Sequence, residues 1–260
     1  MFLTKDGSGL ASRIKKHVPN EEIVIEHLGV VANGEENYDS EEARDWKGAL
    51  EIYRVKSHNG KSELNIELEI GPDWLAMMEK MWDDALPLVN ELSEAAVGKP
   101  FIITRTFDAP REEVYKAWTE KEQMAKWWGP SGFKIDIKEM EVKPGGKFHY
   151  KMENEDGDAM WGRFAYRSIL APERIVFINS FSEENGGITR APFDENWPLE
   201  MLNILRLEEE NGKTKMTLQG AAVNATREER NTYEEGFENM QEGFRGTFDK
   251  LDAHLKRVRG

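Results

Sequence analysis

Residues 226–258 read TREERNTYEEGFENMQEGFRGTFDKLDAHLKRV. Tyr233, Phe237, Met240, Phe244, Phe248, Leu251, Leu255 and Val258 follow one another at steps of three or four. That spacing predicts one long helix, from about Thr226 to Val258, with a single apolar stripe opposite a Glu- and Arg-rich face. Thr226 and Glu229 supply the capping box that starts it. Upstream lie six runs with strand patterning: Phe133–Val142, Lys147–Met152, Met160–Leu170, Ile175–Phe181, Leu199–Leu207 and Thr214–Val223. The clearest turns between them are Pro144-Gly145-Gly146 and Asn211-Gly212. Short turns make an antiparallel sheet rather than a doubly wound one. A long amphipathic helix after a curved sheet buries its stripe by lying across the concave face.

Further upstream, Phe101–Phe107 reads as a strand. Asp108-Ala109-Pro110 opens a short helix, with an N-cap candidate and a proline in the first turn. Thr119 and Glu122 predict a capping box for a second short helix, ending at Trp127-Trp128-Gly129-Pro130. The order from Phe101 onward is therefore strand, two short helices, six strands and a long helix, an α+β arrangement.

The first half echoes the second. Ile23 precedes Ile175 by 152 positions, Asn59 precedes Asn211 by 152, and Trp46 precedes Trp197 by 151. Three anchors at nearly one offset indicate a diverged duplication. Leu10–Val18, Ile23–Val31, Ala49–Ser57 and Glu63–Ile70 read as strands, with a hairpin turn at Asn59-Gly60. Asp73–Glu94 reads as a helix, kinked at Pro87, with Trp74, Met77, Met81, Ala85, Leu88 and Leu92 on its apolar spacing. The first copy lacks the segment matching roughly Phe101–Met152. Two domains are expected: 1–97, a partial repeat of late strands and helix, and 98–260, a complete one, joined through Val97-Gly98-Lys99-Pro100.

Composition bounds the function. The formal net charge of -14 disfavours nucleic acid and anionic membrane surfaces as partners, because both demand clustered cations. The chain has no cysteine, which removes disulfides, thiolate catalysis and zinc–thiolate sites. The start MFLTKDGSG has no apolar core of a secretion signal, so a cytoplasmic protein is expected. His17, His27, His58, His149 and His254 show no metal-ligand spacing and are expected on the surface. Gly7-Ser8-Gly9 falls short of a dinucleotide fingerprint, and Asp156-Gly157-Asp158 reads as a hairpin turn rather than a calcium loop. No cofactor, metal site or catalytic residue is expected.

The stretch TRTFDAPREEVYKAWT at Thr104–Thr119 resembles the opening signature of the domain found in Aha-type activators of heat-shock-chaperone ATPases, within the START-like superfamily. Trp127-Trp128-Gly129-Pro130, Pro144-Gly145-Gly146-Lys147-Phe148 and Gly162 ahead of Pro172-Glu173-Arg174-Ile175 resemble its later markers. The resemblance covers nearly all of residues 99–260 and, more weakly, the first copy. It implies a helix-grip fold: a curved antiparallel sheet wrapped around the long C-terminal helix, with a cavity between. Such cavities host lipids, hormones or polyketide-like molecules in the superfamily, and sometimes catalysis. The eukaryotic activators add a chaperone-binding domain, and nothing in this sequence resembles it.

Aromatic patterning names the candidate lining. Phe148 and Tyr150 share a strand face, as do Phe164 and Tyr166, Phe177 and the polar Asn179, and Met216 with Leu218. Phe237, Met240 and Phe244 face them from the helix, and Trp128 is placed at the mouth. Gly236 and Gly243 lower helix propensity by about 1 kcal/mol each, which close packing or space for a ligand would justify. The expected function is binding of an apolar or aromatic small molecule or lipid-like ligand, without defined catalysis. The alternatives are a co-chaperone-like or other protein-interaction module, including self-association through the incomplete first repeat, and a cyclase- or hydrolase-type enzyme. An inward Arg163 or Arg206 would favour an anionic ligand or catalysis.

Overall fold

The computed structural model describes residues 2–3, 8–32, 34–58 and 61–259. The chain divides into two compact units, Met1–Asp84 and Ala85–Gly260. The expected Asn59-Gly60 turn and Gly7 lie outside the described residues.

The first unit contains β1 (Phe2–Leu3), β2 (Gly9–Val18), β3 (Glu22–Ala32), β4 (Glu35–Asn37), α1 (Glu41–Trp46), β5 (Leu50–His58) and β6 (Lys61–Leu68). Its antiparallel sheet runs β1-β2-β3-β5-β6, with β4 also on β3. Ser40 caps α1 by accepting from the Ala43 amide, a short helix that residue patterning alone does not predict. Trp46 of α1 is buried with Val30 and Ala43, and Trp74 packs against them. Helix α2 (Pro72–Ala95) follows and runs through Pro87.

The second unit begins within α2 and adds β7 (Phe101–Phe107), α3 (Arg111–Thr119), α4 (Lys121–Trp127), β8 (Lys134–Met140), β9 (Lys147–Glu153), β10 (Ala159–Leu170), β11 (Arg174–Ser182), β12 (Glu200–Glu210), β13 (Lys213–Val223), α5 (Arg227–Glu235) and α6 (Phe237–Arg259). Its seven strands form one antiparallel sheet in the order β7-β13-β12-β11-β10-β9-β8. Asn211 and Gly212 both take positive φ, 54° and 71°, as the tight β12–β13 turn requires. The N-terminal sheet resembles a partial copy of this one. Adding 152 to Gly9–Val18, Glu22–Ala32, Leu50–His58 and Lys61–Leu68 lands on β10, β11, β12 and β13 in turn.

Apolar residues pack on both faces of the larger sheet. On the concave face, Phe148, Phe164, Phe177, Leu205, Met216 and Leu218 pack with Phe248 and Leu251 of α6. On the convex face, Leu88 and Ala95 from the end of α2 pack on Val176, Ile178, Leu202 and Val223. There Arg167 Nε lies 2.8 and 2.9 Å from the two carboxylate oxygens of the buried Glu91.

Three local expectations change. The single C-terminal helix is two, because Gly236 caps α5 through its N–H to Thr232 and Glu234 carbonyls and α6 restarts at Phe237. Thr226 and Glu229 do form the capping box. Thr119 does not cap α4: its hydroxyl donates back to the Tyr115 carbonyl at 2.8 Å, and Glu120 occupies the N-cap without a side-chain bond. Nor are all histidines on the surface. His27, His149 and His254 are only 1%, 6% and 7% exposed. His27 meets Trp46 edge to face at 5.5 Å and His149 lies tilted against Trp161 at 5.0 Å, so each of these two buried rings packs on an indole.

Candidate functional site

A cavity of about 610 Å³ opens between the concave face of β9–β11 and the first half of α6. Trp128, Gly129 and Pro130 form one wall, following α4. Their position is fixed by α6: the Lys250 ammonium donates to the Gly129 carbonyl at 3.0 Å, and the Thr247 hydroxyl lies 3.2 Å from the same oxygen. Gly129 itself has φ +94°, and a side chain there would strike Met152.

Sheet residues Tyr150, Met152, Met160, Gly162, Asn179 and Phe181 form the floor. Tyr150 is buried, and desolvation holds its phenol neutral by pushing its pKa up to about 12. Helix α6 contributes Asn239, Met240, Gly243, Phe244 and Thr247. Gly243 is where the helix leaves room, since a Cβ built there meets nothing within 4 Å. Gly236 is different: a Cβ would lie 2.8 Å from the Trp197 indole. Phe193 and Trp197 come from the segment between β11 and β12 and complete the wall. The rings of Phe181, Phe193, Trp197 and Tyr233 follow one another at centroid spacings of 5.6, 5.3 and 5.4 Å.

Among the described residues, no Asp, Glu, Lys, Arg or His lines this cavity. Its polar contributions come from uncharged groups such as Asn179, Ser180, Asn239 and the Tyr150 phenol. Arg163 points elsewhere, donating to the Gly186 carbonyl at 2.9 Å, and Arg206 is exposed. A mainly apolar cleft, open to solvent on one side and carrying a few neutral donors and acceptors, suits an uncharged ligand.

The aromatic set read from the sequence is divided by the structure. Trp128, Tyr150, Asn179, Met240 and Phe244 line the cavity. Phe148, Phe164, Tyr166, Phe177 and Met216 lie in the packed core beyond it, each no more than 2% exposed. Phe148 stacks on Tyr150 at 4.5 Å and Phe164 on Phe177 at 4.2 Å, so rings rather than space fill the deep end. Phe237 turns to Phe101 and Tyr233, at 5.5 and 5.3 Å, because the α5–α6 break re-aims the first turn of α6. Trp127 is fully buried and donates its indole N–H to the Ala117 carbonyl, leaving Trp128 to face the cavity. Phe193 and Trp197 are lining residues that strand patterning missed. They sit on an irregular segment, although Trp197 stands out as a repeat anchor.

Among the described residues, no group of three or more His, Asp and Glu side chains is placed to hold a metal ion. No helix among them is long and apolar enough to cross a membrane.

A protein from Arthrobacter aurescens solved by NMR is 29% identical, with a TM-score of 0.52 over 61% of this chain and 86% of that one. Protein Ms6760 from Mycobacterium smegmatis is 21% identical, with a TM-score of 0.50 over 61% and 92% of the two chains. A Staphylococcus epidermidis protein is 23% identical, with a TM-score of 0.51 over 62% and 92%. The last two show the fold alone. No curated protein matches the chain. The model of the family described as "Activator of Hsp90 ATPase homolog 1-like protein" matches residues 108–256. That span takes in every element from α3 to most of α6 and all the cavity walls, and the chain belongs to this family.

Proposed function

We propose that residues 98–260 form a binding module for an uncharged apolar or aromatic small molecule or lipid-like ligand. The observation that carries this reading is the cavity of about 610 Å³ whose lining contains no charged side chain. A volume of that order suits a drug-sized ligand. The family's fold serves hydrophobic-ligand binding or protein interaction, and an open volume at Gly243 favours the first. Titration with an apolar fluorescent probe tests the reading. Binding at roughly micromolar affinity, about 8 kcal/mol, is expected. Absence of binding, together with no co-purifying small molecule in native mass spectrometry, overturns it.

The partial first copy, which we place at residues 1–97, carries a second role in this reading. It is an interaction element through which the chain self-associates. The supporting observation is its uncovered apolar sheet residues, Ile14, Ile23, Val55 and Leu64, which are 36–67% exposed.

A further inference from the structure

The two copies differ at positions whose register is the same. Val55 pairs with Leu64 across β5–β6, and 152 residues later Leu207 pairs with Met216 across β12–β13. Leu207 and Met216 are 2% and 0% exposed, whereas Val55 and Leu64 are 38% and 37% exposed. The larger sheet shows what lies beside this place. Strand β7 pairs antiparallel with the free side of β13, setting Arg105 opposite Met216 and Ile103 opposite Leu218. Among the described residues, the corresponding side of β6 carries no strand, because β6 ends its sheet. An open edge beside exposed apolar residues is a template for another strand.

Resting on the self-association reading, we infer that β6 pairs antiparallel with β6 of a second copy, with Leu64 opposite Leu64. The strand reads KSELNIEL from Lys61 to Leu68, placing Leu64, Ile66 and Leu68 on one face and Lys61, Glu63, Asn65 and Glu67 on the other. Pairing about a two-fold axis keeps both apolar faces on the same side of a continuous sheet. Charge selects the register. With Leu64 on the axis, each Lys61 faces a Glu67 of the other copy and each Glu63 faces an Asn65. Sliding two residues one way sets Glu63 against Glu67, and the other way sets Glu63 against Glu63. Like charges directly opposite disfavour both alternatives. Glu67 already holds Arg54 within its own sheet at 2.5 Å, which fixes its side chain on the polar face.

Sedimentation equilibrium of the full chain, with K61E, E67K and the double variant K61E/E67K, tests the inference. The wild type is expected to dimerise. K61E places two Glu–Glu pairs at the interface and raises the dissociation constant at least tenfold. The double variant rebuilds both pairs reversed and returns most of the affinity, with Arg54 still held by Glu22 at 2.9 Å. A monomeric wild type overturns both this inference and the self-association reading. A dimer indifferent to K61E, or weakened by it and not restored in the double variant, overturns the β6 pairing and leaves self-association standing.

Discussion

The phenol of Tyr150 lies on the Cα of its cross-strand partner Gly162, so closely that a Cβ built there would fall 2.5 Å from the hydroxyl and 2.6 Å from the ring. Glycine at this position is what lets the Tyr150 ring lie flat on the floor of the cavity. Gly162→Ala should therefore displace the ring, costing about 1–3 kcal/mol as an overpacking change. Urea unfolding measures the cost, and probe titration should show a matched loss of affinity. A variant with wild-type stability and affinity would mean that the ring is free to move.

Binding should be insensitive to pH and salt. No lining side chain is charged, and Tyr150 stays neutral until its raised pKa of about 12. Probe affinity measured between pH 7 and 10, and between low and high salt, should change less than about twofold, because no exposed ion pair is there to be screened. A clear titration in that range would place an ionisable group in the site.

Stability should fall on acidification. Burial lowers the pKa of His27, His149 and His254 relative to the ordinary value of 6.5. The unfolded chain then binds protons that the folded chain refuses, so stability rises with pH in this region. The contribution is complete above about 6.5 and is lost as pH falls toward the lowered folded values. Urea midpoints should drop between pH 7.5 and 5.5, and His27→Asn should shrink that drop. His27 is the choice because its Nδ1 already meets the Ser12 hydroxyl at 2.9 Å, a contact that Asn is suited to keep.

The Arg167–Glu91 pair should respond asymmetrically. Glu91 is buried between Leu88 and Ala95 of α2, while Arg167 is 29% exposed at its side chain. Arg167→Ala leaves an unpaired carboxylate against the sheet and should cost about 2 kcal/mol. Glu91→Leu removes the charge, extends the apolar patch and leaves an arginine that reaches water, so its cost should be less than half as large. Equal costs measured by urea unfolding would show that the pair is solvated.

Much of this architecture was readable because it rests on local chemistry. The strands of the larger sheet follow their apolar alternation, and the Thr226–Glu229 box sets the start of α5. The unread parts depend on contacts distant in sequence. Nothing near Gly236 signals that Trp197 lies against it, yet that contact accompanies the break of the long helix in two. Helix α1 escaped because its six residues are too few to show a period. The lining was half legible for the same reason. Alternation tells which side chains face inward, but Tyr150 and Phe148 face the same way and only packing decides which meets open space. The histidines misled because an imidazole reads as polar in the sequence, whereas in the fold Trp46 and Trp161 pack against the rings while Ser12 and the Glu183 carbonyl meet a ring nitrogen.

Gly236 and Gly243 give the sharpest test of the cavity. Gly236 ends α5 and Gly243 lies within α6, and of the two only Gly243 leaves free space for an added Cβ. At Gly236 a Cβ would sit 2.8 Å from Trp197, so Gly236→Ala should push that indole and cost about 1–3 kcal/mol despite the better helix former. At Gly243 a Cβ meets nothing within 4 Å, and Met240, Phe244 and Tyr150 surround the space beyond. Gly243→Leu should therefore enter the cavity without strain. Its gain in helix propensity, about 0.8 kcal/mol, should leave stability unchanged or raised. The same leucine occupies the volume a ligand needs, so probe affinity should fall at least tenfold. Urea unfolding and probe titration on both variants read the outcome. A stable Gly243→Leu that binds poorly, beside a destabilised Gly236→Ala, is the expected pattern. A Gly243→Leu destabilised by as much as Gly236→Ala would mean that side chains close the space at Gly243, and the cavity could not serve a ligand there.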